Sequence, residues 1–254
     1  MKYKKLLVLI TCLLFVTVAA FCFASAFKVK DIDLKVTTIV GSSENIEEKV
    51  SDYLKNYSNK NLFLISEDEI KSDITSLSGY IKVDSVEKIV PNKLVVKISE
   101  KEECFSLKVQ DDYYSLDKEL VVLNKSQTSL NNVDGNSNIL LTLSLADYSS
   151  DIKVASKINF YDSLTFNALL KSTSVLYENR GSLSEVVVTT KTDGYANRTF
   201  TLKMKEGVEF VIYNVQQDIL LKLNKTFEYY LKLDNKGSGS YNVVLTDSGN
   251  VFIS

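Results

Sequence analysis

The sequence predicts an α+β protein: an N-terminal transmembrane helix, a small β-α-α-β-β domain, and a larger, mainly antiparallel β domain with two helices. Three observations carry this. Residues 6–27 form a run of 22 positions without a charge. Between residues 28 and 101, two segments with apolar residues at helical spacing lie among strand-like runs. After Lys101 the apolar residues mostly alternate with polar ones, the period of a half-buried strand.

The short segment 1–5, MKYKK, precedes the charge-free run. As a helix at about 1.5 Å per residue, residues 6–27 span roughly 33 Å, enough for a bilayer core of about 30 Å. The run exceeds the h-region of a signal peptide, about 7–15 residues. Ala24-Ser25-Ala26 still fits a cleavage site, so a cleaved signal remains the alternative to an anchor. Phe21 is too large for the small residue a lipoprotein signal needs before Cys22. Lys2, Lys4 and Lys5 precede the run, whereas Lys28 and Lys30 are offset by Asp31 and Asp33. The positive-inside rule then leaves the N-terminus in the cytoplasm and residues from 28 onward outside.

In residues 28–101, Val29, Ile32, Leu34 and Val36 read as a first strand, and Gly41-Ser42-Ser43 breaks it and offers a helix cap. Ile46, Val50, Tyr53, Leu54 and Tyr57 give an amphipathic helix. Ser66 with Glu69 forms a capping box for a second, with Ile65 and Ile70 as its hydrophobic staple. Ile70, Ile74 and Leu77 are that helix's predicted buried stripe, and Gly79 its end. The only proline, Pro91, stands with Asn92 between two apolar runs, which predicts a β-hairpin with its corner there.

In residues 102–254, CFSLKV, DYYSL, VVL and ILLTL read as strands, and Asn124 to Asn138 as a polar loop. Ile158 to Tyr177 reads as a helix with Phe160, Leu164, Ala168 and Tyr177 inward and Gly181 as its C-terminal cap. SEVVVTT, TFTLKM and VEFVIY are three further strands, the last two joined by Lys205-Glu206-Gly207. A helix over Gln216 to Lys232 follows, with Phe227, Tyr229 and Tyr230 read as core. A hairpin of YNVVLT and NVFIS about Asp247-Ser248-Gly249 comes last.

The net charge of −2 supplies no basic field for nucleic acid. Histidine is absent, which removes the commonest general base and zinc ligand. Only Cys104 lies beyond residue 27, so neither a disulfide framework nor a cysteine metal site can be built there. Glu102 and Glu103 beside it oppose thiolate formation, and a buried strand residue is the reading adopted. No phosphate-binding glycine motif occurs. The residues thus predict no catalytic group, no cofactor and no metal. The alternative kept open is an extracytoplasmic cell-wall hydrolase using a carboxylate pair. Against it, Glu67-Asp68-Glu69 suit a helix N-terminus, and Glu100, Glu102 and Glu103 a solvated strand exit.

The whole order resembles the FtsQ/DivIB family of bacterial cell-division proteins: a short basic start, one span, a POTRA domain and a β domain. VEKIVPNKLVVKISEKE resembles the end of that family's POTRA domain, with Pro91, Leu94, Val96, Ile98 and Glu100 on the pattern. DYYSLDKELVVL resembles the next hairpin, with Glu119 where the family usually has glycine. GSLSEVVVTT and FTLKMKEGVEFVIY resemble later strands, and Lys222 or Lys225 the lysine of the helix after them. The resemblance implies a non-enzymatic, single-pass protein of the bacterial cell membrane at the division septum, with outer domains that bind partners. Those partners are small bitopic coiled-coil division proteins of the FtsL and FtsB/DivIC type, and through them the septal peptidoglycan synthases. The outer-membrane POTRA transporters are a further alternative, but too few strands follow residue 101 for their barrel. The terminal hairpin is the expected partner-binding strand edge, with Tyr241, Val243, Val251 and Phe252 as its candidate residues.

Overall fold

The computed structural model describes residues 25–39, 45–109, 111–127, 139–143, 152–158, 162–189 and 198–254, with isolated positions between 11 and 17. Most of the predicted span at 6–27 lies outside these residues. Of the polar loop expected over Asn124 to Asn138, residues 128–138 also lie outside them, while Asn124, Lys125 and Ser126 belong to a strand, which corrects the start of that loop. Among the described residues no helix is long and apolar enough to cross a membrane. The described chain divides into two compact units, one ending at Glu100 and the other beginning at Lys101.

The first unit runs β1 (Asp31–Thr37), α1 (Ile46–Leu54), α2 (Glu67–Leu77), β2 (Ile81–Ile89) and β3 (Lys93–Glu100). The strands stand in the order β1-β3-β2, with β1 parallel and β2 antiparallel to the central β3. Ile46, Val50 and Leu54 of α1 and Ile70 and Ile74 of α2 are buried together with Ile81, Leu94, Val96 and Ile98 of the sheet. The Ser66 side chain accepts from the Glu69 amide at 3.2 Å, the expected cap, and Ile65 and Ile70 are both buried.

Three local expectations are corrected. The cap of α1 is Asn45, whose side chain accepts from the Glu48 amide; positions 41–44 lie outside the described residues. The first helix keeps its α geometry only to Leu54 and continues through Tyr57 as a tighter 3-10 turn. Leu77 is 37% exposed, because it is the last residue of α2, where the chain already turns toward β2. The predicted corner is present: β2 and β3 pair from Ile89 and Lys93 inward, leaving Val90, Pro91 and Asn92 as the turn. The Val90–Pro91 bond is cis.

The second unit contains β4 (Phe105–Val109), β5 (Asp112–Leu116), β6 (Val122–Ser126), β7 (Ile139–Leu143), α3 (Ser163–Glu178), β8 (Leu183–Thr189), β9 (Thr199–Met204), β10 (Val208–Tyr213), α4 (Ile219–Lys232), β11 (Gly239–Leu245) and β12 (Val251–Ile253). They form one nine-stranded sheet in the order β12-β11-β10-β9-β8-β7-β4-β5-β6. Five neighbouring pairs are antiparallel. Three, β4 with β7, β7 with β8 and β10 with β11, are parallel. The sheet is therefore mainly antiparallel but stitched by crossovers that short-range alternation does not reveal.

Phe200, Leu202 and Met204 of β9 and Val208, Phe210 and Ile212 of β10 share a core with Ala168, Leu169 and Leu176 of α3 and Leu223, Phe227 and Tyr230 of α4. Helix α3 begins later than expected, capped by Asp162 and not reaching back to Ile158. It ends at Glu178 with Asn179 as its cap, so Gly181 is not the terminator. Leu164 is half exposed rather than inward, while Phe160 lies outside the described residues. In the β5–β6 turn the left-handed residue is Leu120, next to the position where the family usually has glycine. Gly207 turns β9 into β10 at φ +103°, and a Cβ there would meet the Gly237 carbonyl oxygen at 2.7 Å. Glycine is required at that point, since it lets the chain entering β11 lie against the start of β10.

Candidate functional site

Strand β12 forms one edge of the large sheet: it pairs with β11 and has no neighbour beyond it among the described residues. The turn that delivers it is held by Thr246, whose amide donates to the Asn250 carbonyl at 2.8 Å and whose carbonyl accepts from Gly249 at 2.9 Å. The register sets Val243 opposite Ile253, Val244 opposite Phe252 and Leu245 opposite Val251. Asn242 and Ser254 exchange both backbone hydrogen bonds, at 2.8 and 3.1 Å. Hydrogen-bonded and non-hydrogen-bonded pairs alternate in an antiparallel ladder. Phe252 therefore bonds inward to Val244, and Val251 and Ile253 turn their N–H and C=O groups away from β11.

Side chains follow the same phase. Val251 and Ile253 lie half buried against the core, on the side of the helices. Tyr241 does likewise, stacked on Phe210 with ring centres 5.4 Å apart and edge-on to Tyr229 at 5.4 Å. Phe252 points to the other face and is 56% exposed, beside half-buried Val244. Val243 is fully buried, so its side chain is core, and the expectation that it supplies a side-chain contact is corrected. The four candidate residues are thus brought onto one hairpin but divided between two faces. The edge's outward backbone at Val251 and Ile253 was not singled out from sequence. The signal for it is the Thr246–Asn250 closure, which fixes which residues of β12 bond inward.

The carboxylates considered for hydrolysis have structural partners. Glu67, Asp68 and Glu69 form the first turn of α2, where the helix dipole favours negative charge. Glu67 also faces Lys88 at 3.8 Å. Glu100 accepts from the Ile39 amide at 2.9 Å. Glu102 accepts the Tyr177 hydroxyl and lies 3.9 Å from Lys118. Cys104 is buried just ahead of β4; burial first, and then the charge of Glu102, pushes its thiol up to about 12. A cleft of about 400 Å³ opens between α3 and the start of α4, lined by Leu164, Asn167, Lys171, Gln216, Asp218 and Leu221 among others. Asp218 is the one acid of that lining. Of the two lysines matched to the family's helix, Lys222 is fully buried and Lys225 is exposed and paired with Glu228 at 2.8 Å.

No curated protein matches the chain. Residues 27–101 match the family model described as POTRA domain, FtsQ-type, and these are the residues that build the β-α-α-β-β unit. Its type associates it with bacterial cell division and with contacts between proteins rather than catalysis. The first unit of the chain is thus a POTRA domain of the FtsQ type.

Proposed function

We propose that the chain is a single-span division protein, held in the bacterial cell membrane by residues 6–27 with its N-terminus in the cytoplasm and its two domains outside at the septum. It binds small bitopic coiled-coil partners of the FtsL and FtsB/DivIC type and through them regulates septal peptidoglycan synthesis. What carries this reading is a sheet edge, β12, unpaired on its outer side among the described residues, in a chain whose first unit is an FtsQ-type POTRA domain. A partner strand added there takes main-chain hydrogen bonds from Val251 and Ile253, with Phe252 and Tyr241 available on the two faces. Soluble proteins blunt such edges with lysine or proline, and Val251-Phe252-Ile253 has neither.

Two substitutions separate the reading from a merely structural edge. Phe252→Asp puts a carboxylate at a position already open to water. Ile253→Pro removes an outward N–H without touching the bonds to β11, as edge strands tolerate. Both variants should fold. Each should weaken capture of an FtsB/DivIC-type partner about tenfold or more, the equivalent of about 1.4 kcal/mol. Folded variants that bind with parental affinity would move the interface elsewhere.

A further inference from the structure

The end of the POTRA domain where the chain enters is apolar in a way its fold does not require. The Phe27 carbonyl accepts from the Leu62 amide at 2.8 Å, and the Val29 amide donates to Lys60 at 2.9 Å, so the entering chain pairs with residues 60–62. The next turn of chain, Leu62–Leu64, is a single 3-10 turn with Leu62 buried and Phe63 and Leu64 outside, 55% and 85% exposed. Phe63 packs edge-on against Phe27 with ring centres 4.9 Å apart. On the sheet side, the Asn92 carbonyl accepts from the Lys30 amide at 2.9 Å and the Asp31 amide at 3.3 Å. The hairpin corner therefore sits at this same end, and beside it Ile89 and Val90 are 47% and 58% exposed. Four large apolar side chains, two from the 3-10 turn and two from the hairpin end at Ile89 and Val90, thus flank the point where the chain leaves the predicted span.

We propose that this end of the domain docks into the outer leaflet of the bilayer that residues 6–27 cross, with Phe63, Leu64, Ile89 and Val90 as its apolar tips. The proposal rests on the membrane-anchored reading above. Its occupant follows from continuity: Phe27 is the last residue of the charge-free run, so these tips stand at the level where that run meets water. The charge around them fits a lipid surface as well. Lys28 and Lys30 flank the entering chain and are exposed, and Lys60 lies over the Tyr57 ring at 4.4 Å. The acids that follow them, Asp31 and Asp33, are each held by Lys93 at 3.2 Å. Apolar tips collared by lysine partition into the boundary between headgroups and acyl chains, most strongly where the lipid is anionic. The domain is then held upright on the membrane by two loops as well as by its tether.

The chain has no tryptophan, so a single introduced one reports its own surroundings. The experiment uses the full chain in vesicles containing phosphatidylglycerol, with and without bromine on the acyl chains. Leu64→Trp and Val90→Trp should each be quenched by roughly half, as suits groups about 5–10 Å into the interface. Leu77→Trp lies at the opposite end of β2, eight residues of strand or roughly 26 Å away, and should be unaffected. Leu14→Trp, inside the charge-free run, reports on the anchor itself. If Leu14→Trp is quenched while Leu64→Trp and Val90→Trp stay accessible to acrylamide in water, the docking proposal fails and the anchor stands. If both tips are shielded from bromine and acrylamide alike, a protein covers them and the proposal fails. Equal quenching at Leu77→Trp would also overturn the end-on placement. If Leu14→Trp is unquenched, the anchored reading falls and this proposal with it.

Discussion

The two units differ in what they bury. Among the described residues of the POTRA domain every buried side chain is aliphatic or aromatic, from Val29 to Ile98. Among its described residues the β domain buries eight polar or charged side chains: Ser106, Ser115, Asp117, Thr165, Ser172, Thr173, Lys222 and Thr226. Several of these are satisfied within their own helix. Ser172 donates to the Ala168 carbonyl at 2.6 Å, and Thr226 to that of Lys222 at 2.8 Å. Others close joints of the chain: one oxygen of Asp117 accepts from the Glu119 and Val121 amides, both at 2.8 Å, and so fixes the β5–β6 turn. A small domain with short connections needs only an apolar pattern to specify its fold. A nine-stranded sheet with three crossovers also needs polar joints where the chain changes direction.

The most forceful test of that contrast lies in the apolar core. Ile74 is fully buried in the cluster that α2 forms with the sheet. Ile74→Ala should cost about 2–5 kcal/mol, the range for a large aliphatic side chain replaced in a packed core. Amide hydrogen exchange should accelerate through α2, β2 and β3. A cost below about 1 kcal/mol would mean a loosely packed core and would break the comparison.

The same contrast explains what could be read from the sequence. The POTRA order was legible because each element is local: Ser66 announces α2, and Pro91 with Asn92 announces the β2–β3 corner. TFTLKM and VEFVIY were legible as strands, and the structure buries Phe200, Leu202, Phe210 and Ile212 in one core. Alternation could not show that β4 lies beside β7 or β10 beside β11, since period two assigns a face and names no neighbour. The parallel pairing of β1 with β3 was invisible for the same reason. At the candidate edge, the terminal hairpin and exposed Phe252 were legible. The burial of Val243 was not, because it depends on α4 closing over that face of β11.

Ser66→Ala sharpens the comparison on a smaller scale. It removes the acceptor that the Glu69 amide uses at the start of α2. The expected loss is about 1 kcal/mol, within the usual range of roughly 0.5–2 for an N-cap. It is read as a lower urea midpoint for the POTRA domain with an unchanged slope. Since Ile65 and Ile70 still pack at the helix start, the helix should persist. A loss as large as that of Ile74→Ala would show that the cap, not the apolar stripe, nucleates this unit.

The smallest net effect is expected at the most unusual buried group. Lys222 is fully buried, and its ammonium donates to the Tyr213 and Asn214 carbonyls, both at 2.9 Å, where the chain leaves β10 for α4. Lys222→Met forfeits two charge-assisted hydrogen bonds, about 1.5–3 kcal/mol each. It also removes the cost of desolvating an ammonium, several kcal/mol in the opposite direction. The terms nearly cancel, so the variant should lie within about 1 kcal/mol of the parent at neutral pH. The pH profile separates them. Burial lowers the Lys222 pKa below 10.5, with Asp218 opposing. Between its folded and unfolded pKa the unfolded chain holds more protons, so the parent gains stability as pH rises through that window. Below the folded value both states are charged, and above 10.5 both are neutral, so the contribution is flat on either side. Urea unfolding of parent and variant from neutral to alkaline pH should therefore show the difference moving in the parent's favour as pH approaches 10.5. A difference that stays constant would mean that the ammonium keeps its water, and that this joint is not a buried one.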